Sequence, residues 1–168
     1  AIWEFSLTDG QSEAYLNNYP VSYTMPSGPG QWIPTSPDYA PRPLLPFWSK
    51  ARTILNTNVF GINLNKSLIY SEAQNSNIYA EAVEVYNLSE ALTLDQKESI
   101  GYFNREMDKT ANPLSHNFLL ALQLVKEQQL NLPKTLELLV CLSFAANDGY
   151  ISSWKIKYDK NLLRVSSY

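Results

Sequence analysis

Phe144-Ala-Ala-Asn-Asp-Gly-Tyr-Ile-Ser-Ser-Trp-Lys-Ile-Lys-Tyr-Asp-Lys-Asn-Leu-Leu-Arg164 is a run in which an apolar helical pattern passes into a basic end. The residues just before it, Leu136-Glu-Leu-Leu-Val-Cys-Leu142, are apolar nearly all round, the pattern of a central buried helix. Asn131-Leu132-Pro133 marks the turn that opens this segment, so the spacing predicts one long helix from about Pro133 to Tyr158. Lys155, Lys157 and Lys160 fall in its last turn or just past it, where cations complement the helix dipole. Lys157 and Arg164 stand seven residues apart, a spacing that returns two side chains to nearly one helix face. A compact ammonium and a planar guanidinium fork form a suitable pair for a tetrahedral oxyanion. The plainer alternative is a solvated helix end.

Working outward, Ile78, Ala82, Val85 and Leu88 recur at helical spacing from Asn77 onward. Leu92-Thr93 interrupts that helix, and Thr93 with Gln96 has the spacing of a capping box. The next helix is expected to reach about Met107, with Ile100 and Phe103 facing inward. Asn112-Pro113 opens another, whose apolar set is Phe118, Leu119, Leu122 and Val125. Residues 1–76 differ in character. Eight of the ten prolines lie between Pro20 and Pro46, interleaved with Trp32, Ile33, Tyr39, Leu44, Leu45, Phe47 and Trp48. Proline withholds a backbone donor, so this stretch reads as extended and irregular. Its aromatics imply that it packs on something. The fold class is therefore all-α: a helical bundle over 77–168 with an irregular, Pro- and aromatic-rich arm over 1–76.

Composition narrows the functional classes. Charged residues are only 17 % and the net charge is −3, with no Lys/Arg block, so nucleic acid is not an expected partner. No run of about 18 apolar residues is present, so no membrane-spanning segment is expected. No signal peptide is recognisable. The single cysteine, Cys141, permits no internal disulfide and reads as a small core residue. One cysteine and one histidine cannot form a zinc cluster. His116 reads as a packing residue, and Glu81, Glu84, Glu98 and Asp108 as a solvated face. Gly28-Pro29-Gly30 lacks the following helix and lysine of a phosphate loop.

Lys157, six residues, then Arg164 resembles the first signature motif, Lys-x6-Arg-Pro, of the vanadium-haloperoxidase/PAP2 phosphatase superfamily. The segment from Ala145 to Tyr158 is similar to the lead-in to that motif in the haloperoxidase-like subgroup. Gly28-Pro29-Gly30-Gln-Trp32-Ile-Pro34-Thr35-Ser-Pro37 resembles the subgroup's Gly-x-Trp-x-Pro-Thr-Pro arm, and Leu44-Leu-Pro46-Phe-Trp48 continues it. The likeness runs from about Asp9 to Arg164.

The resemblance implies that Lys157 and Arg164 bind the equatorial oxygens of phosphate or vanadate and stabilise charge in the transition state. It implies vanadate as cofactor if the protein is a haloperoxidase and no cofactor if it is a phosphatase. Family tendency points to a periplasmic or secreted protein. Two departures stand out. Val165 occupies the place of the motif's proline, and the two histidines that the family carries in later motifs, one as nucleophile or vanadium ligand and one as acid–base group, are both absent, since His116 precedes the first motif. No catalytic residue is therefore expected within this chain. The expectation is a domain truncated after its first motif, inactive alone and partnered by the remaining part of the domain or by another chain. The competing reading is a non-catalytic helical module whose Trp and Tyr residues bind a glycan or a protein.

Overall fold

The computed structural model describes residues 1–36, 39–55, 69–103 and 113–168. The described residues are all-α. In chain order they form α1 (Ile2–Leu7), α2 (Asn77–Glu90), α3 (Leu94–Phe103), α4 (Pro113–Glu127) and α5 (Leu132–Lys160), with 3-10 turns at Ala14–Leu16, Trp48–Lys50 and Val165–Ser167. Extended pairing among them is limited to one antiparallel bridge, Gln31 with Leu162. Pro37, Met107, Asp108 and Asn112 lie outside the described residues.

Helix starts follow local chemistry. Ser76 Oγ accepts from the Tyr79 N–H at 3.3 Å, capping α2. Thr93 and Gln96 form the expected reciprocal box at α3. The Thr93 N–H donates to Gln96 Oε1 at 2.9 Å, and the Gln96 N–H donates to Thr93 Oγ1 at 3.3 Å. Asn131 Oδ1 accepts from the Lys134 N–H at 3.1 Å, and Pro133 occupies the first turn of α5.

The chain divides into two compact units: residues 1–87 with 149–168, and residues 88–148. In the first, the arm packs on the last third of α5. Trp48 stacks on Tyr150 at 6.4 Å and meets Trp154 edge-on at 5.5 Å. Tyr23 sits between Phe47 (5.8 Å) and Tyr158 (5.6 Å), both edge-on. These ring separations and tilts are the favourable ones for aromatic pairs. The Trp154 indole N–H and the Tyr158 hydroxyl both donate to the Leu44 carbonyl, at 3.4 and 2.5 Å. Leu45 (φ 51°) and Tyr39 (φ 44°) hold left-handed backbone in this arm. In the second unit, His116 is buried and stacks on Tyr102 at 4.4 Å with nearly parallel rings, a packing role. Asp148 is fully buried and accepts from the Asn147 amide at 3.0 Å, one of the partners a buried carboxylate needs.

Several expected core positions are not core. Val85, Leu88, Ile100, Phe103, Leu119, Leu122, Leu136 and Val140 are each about half exposed or more, and Cys141 is exposed. Periodicity identifies an apolar face but does not provide its cover, and among the described residues nothing closes over these faces. Among the described residues the buried aliphatic set is small: Ala51, Ala121 and Ile151.

Candidate functional site

The site grows from the way α5 ends. Asn161 takes φ 46°, the left-handed cap that asparagine tolerates and that stops a helix. Its N–H still reaches the Lys157 carbonyl at 2.9 Å, while its amide donates to the Tyr158 carbonyl at 2.7 Å and to the Tyr23 hydroxyl at 3.1 Å. Its own carbonyl accepts from the Trp32 N–H at 2.7 Å. Two residues on, the Leu163 N–H donates to the Gly30 carbonyl at 2.8 Å. Residues 30–32 of the arm thus clamp the segment that carries Arg164. Gly30 is required for this approach: it has φ 76°, and a Cβ there would lie 2.9 Å from Tyr70 Cγ.

Lys157 is on the last turn of α5, with its ammonium 4.7 Å from the Trp154 ring centre and 5.4 Å from that of Tyr158. Both separations lie within cation–π range. Arg164 is not on the helix, which corrects the shared-face geometry. The turn at Asn161 puts it in extended backbone (φ −77°, ψ 145°), where it begins the 3-10 turn Val165–Ser167. That extended conformation is one that a residue before proline also takes, so the valine at position 165 is compatible with it. The guanidinium Nη1 donates to Thr35 Oγ1 at 3.2 Å.

Tyr158 lies between the two cations in sequence and is influenced by both in space. Burial pushes its phenol up to about 12, the nearby Tyr23 adds to the rise, and Arg164 pulls against it. The hydroxyl therefore stays protonated and donating. Thr35, Asn161 and Tyr158 were not singled out by the sequence as site residues. The Thr35 signal is present in the arm pattern, but its contact with Arg164 spans 129 positions and has no local trace.

Elsewhere, a cleft of about 360 Å³ opens in the arm, lined among others by Gln11, Glu13, Asn17, Phe47 and Trp48; neither Lys157 nor Arg164 lines it. Among the described residues no group of His, Cys, Asp and Glu could hold a metal ion, and no helix is long and apolar enough to cross a membrane.

No family model and no curated protein matches the chain. Among solved structures it is similar to the first bacterial vanadium-dependent iodoperoxidase, with a TM-score of 0.78 and 24 % identity over 98 % of this chain. The fold is haloperoxidase-like. At this identity the likeness speaks for the fold alone. The chain spans about 40 % of the iodoperoxidase chain, so the activity of the whole haloperoxidase-like protein is a matter for proposal.

Proposed function

We propose that this chain supplies the oxyanion-binding lysine and arginine, Lys157 and Arg164, of a vanadium-haloperoxidase-like or PAP2-type phosphatase domain. The observation that carries this reading is the grouping of both cations around Tyr158 at the end of α5, one against its ring and the other near enough to act on its phenol. In a chain of net charge −3, two cations near one phenol are a local feature rather than a general basicity. Their chemistry fits an oxyanion. Both groups carry only donors, and the guanidinium offers a planar fork to paired oxygens. Held in place before the reaction, they would stabilise the charge that develops on the equatorial oxygens.

Bound vanadate supplies oxidation of halide by peroxide, whereas a bound phosphoryl group is itself the one hydrolysed. The only histidine, His116, is buried against Tyr102 and precedes the Lys157–Arg164 segment, so this reading gives it no part in either chemistry. Turnover then rests on groups brought by the remaining part of such a domain or by another chain. The exposed aliphatic residues of α4 and α5 are suited to such a polypeptide partner. Leu119, Leu120, Leu122, Leu124, Leu136 and Val140 are each about half exposed. Fully burying a side chain of this kind is worth about 1.5–3 kcal/mol, so covering the face has much to gain. Trp48 and Trp154 engage each other and Tyr150 within the chain, whereas Trp3 and Tyr15 stand exposed.

The test is titration calorimetry of the chain with orthovanadate and with inorganic phosphate. Lys157→Ala and Arg164→Ala should each weaken binding by about tenfold or more, the scale of a charge-assisted contact. An aryl phosphate should not be turned over by the chain alone. Undiminished affinity in both variants, or robust turnover by the wild-type chain, contradicts the proposal.

A further inference from the structure

We propose that Thr35 is a positioning residue for Arg164, and that the arm, rather than α5, sets the arginine's place in the oxyanion site. This inference rests on the oxyanion reading above. Because α5 ends before Arg164, the helix cannot orient that side chain, and an exposed guanidinium on a long stem samples many rotamers unless something holds it. Two anchors are available, and both come from one short strip of the arm. The backbone on either side of Leu162 is fixed by the Trp32–Asn161 and Gly30–Leu163 hydrogen bonds. The guanidinium is fixed by Thr35 Oγ1, which accepts from Nη1 at 3.2 Å.

Thr35 is itself restrained. Pro34 precedes it with a locked φ, its β-branch limits χ1, and its carbonyl accepts from the Tyr39 N–H at 2.9 Å. A neutral acceptor suits the task better than a carboxylate. It aligns the fork without neutralising the charge that an anion must meet. It also engages one of five N–H donors, leaving the rest for paired contacts to an oxyanion.

The experiment uses wild-type chain, Thr35→Val, Thr35→Ser, Arg164→Ala and the Thr35→Val/Arg164→Ala double variant. Orthovanadate affinity is measured by calorimetry and the Arg164 guanidinium is followed by ¹⁵N NMR without ligand. Thr35→Val keeps the shape and branch but removes the acceptor. It should weaken orthovanadate binding about tenfold at unchanged thermal midpoint, and Thr35→Ser should restore it. The same substitution should have no further effect in the Arg164→Ala background, as expected of a residue that acts only through the arginine. In the NMR spectrum Thr35→Val should merge the Arg164 Nη signals through freer rotation. Wild-type affinity in Thr35→Val, an equal loss with Arg164 absent, or an unaltered guanidinium spectrum each overturns the inference. A wild-type chain that takes up no orthovanadate overturns the oxyanion reading and the proposed purpose of Thr35 with it. That failure is told apart from the others by the guanidinium spectrum, which reports the Thr35 contact without ligand.

Discussion

Tyr158 shows how one side chain ties the arm to the helix and to the site. Its hydroxyl donates to the Leu44 carbonyl, so the folded state needs the neutral phenol. The folded value, about 12, lies above the ordinary 10.0 of an unfolded tyrosine. Its stabilising contribution is therefore complete below pH 10 and is lost as pH rises toward 12. Alkaline unfolding followed by circular dichroism should show this limb, and Tyr158→Phe should flatten it while lowering stability at neutral pH by about 1 kcal/mol. A variant with the wild-type alkaline limb would remove Tyr158 from this role. At this scale the sequence was only partly legible. Lys157 and Arg164 could be picked out by type and spacing. Their relation could not, because it depends on Asn161 taking a left-handed backbone, which converts a helical seven-residue repeat into a helix end followed by extended chain. The packing role of His116 was legible, since a lone histidine within an apolar helical pattern has few other uses.

Helix boundaries were the most legible elements, because they are decided by neighbours in sequence. Thr93 with Gln96, and Asn131 with Pro133, stand where the chain turns, and both work as caps. Removing the box at α3 by Thr93→Ala should cost about 1 kcal/mol of stability. A urea midpoint unchanged by that substitution would show that α3 does not depend on its cap. The cost should be visible because α3 has no buried residue among those described, so little packing compensates a lost cap. The all-α class was likewise readable from the 3.6-residue recurrence of α2, α4 and α5. What recurrence could not say is which faces are covered. Leu119 and Leu122 on α4 follow the apolar pattern and are still 54 % and 52 % exposed, since burial belongs to whatever lies opposite and not to the helix itself.

For the molecule as a whole, that uncovered aliphatic surface is the dominant property. Side chains half in water contribute less to the folded chain's own stability than buried ones. Leu119→Gln with Leu122→Gln should therefore shift the stability of the isolated chain, read from urea unfolding, by no more than about 1 kcal/mol. Exposed aliphatic side chains also favour association, so in sedimentation velocity the wild-type chain should self-associate more than the double variant. A large loss of stability in that double variant would mean that the leucines are already engaged. The one exposed thiol offers a different use of the same geometry. Cys141 follows Val140 directly in α5 and is the chain's sole cysteine. Its alkylation rate is thus a single-site clock on that stretch of helix, fast while water reaches the sulfur and slow once another polypeptide shields it.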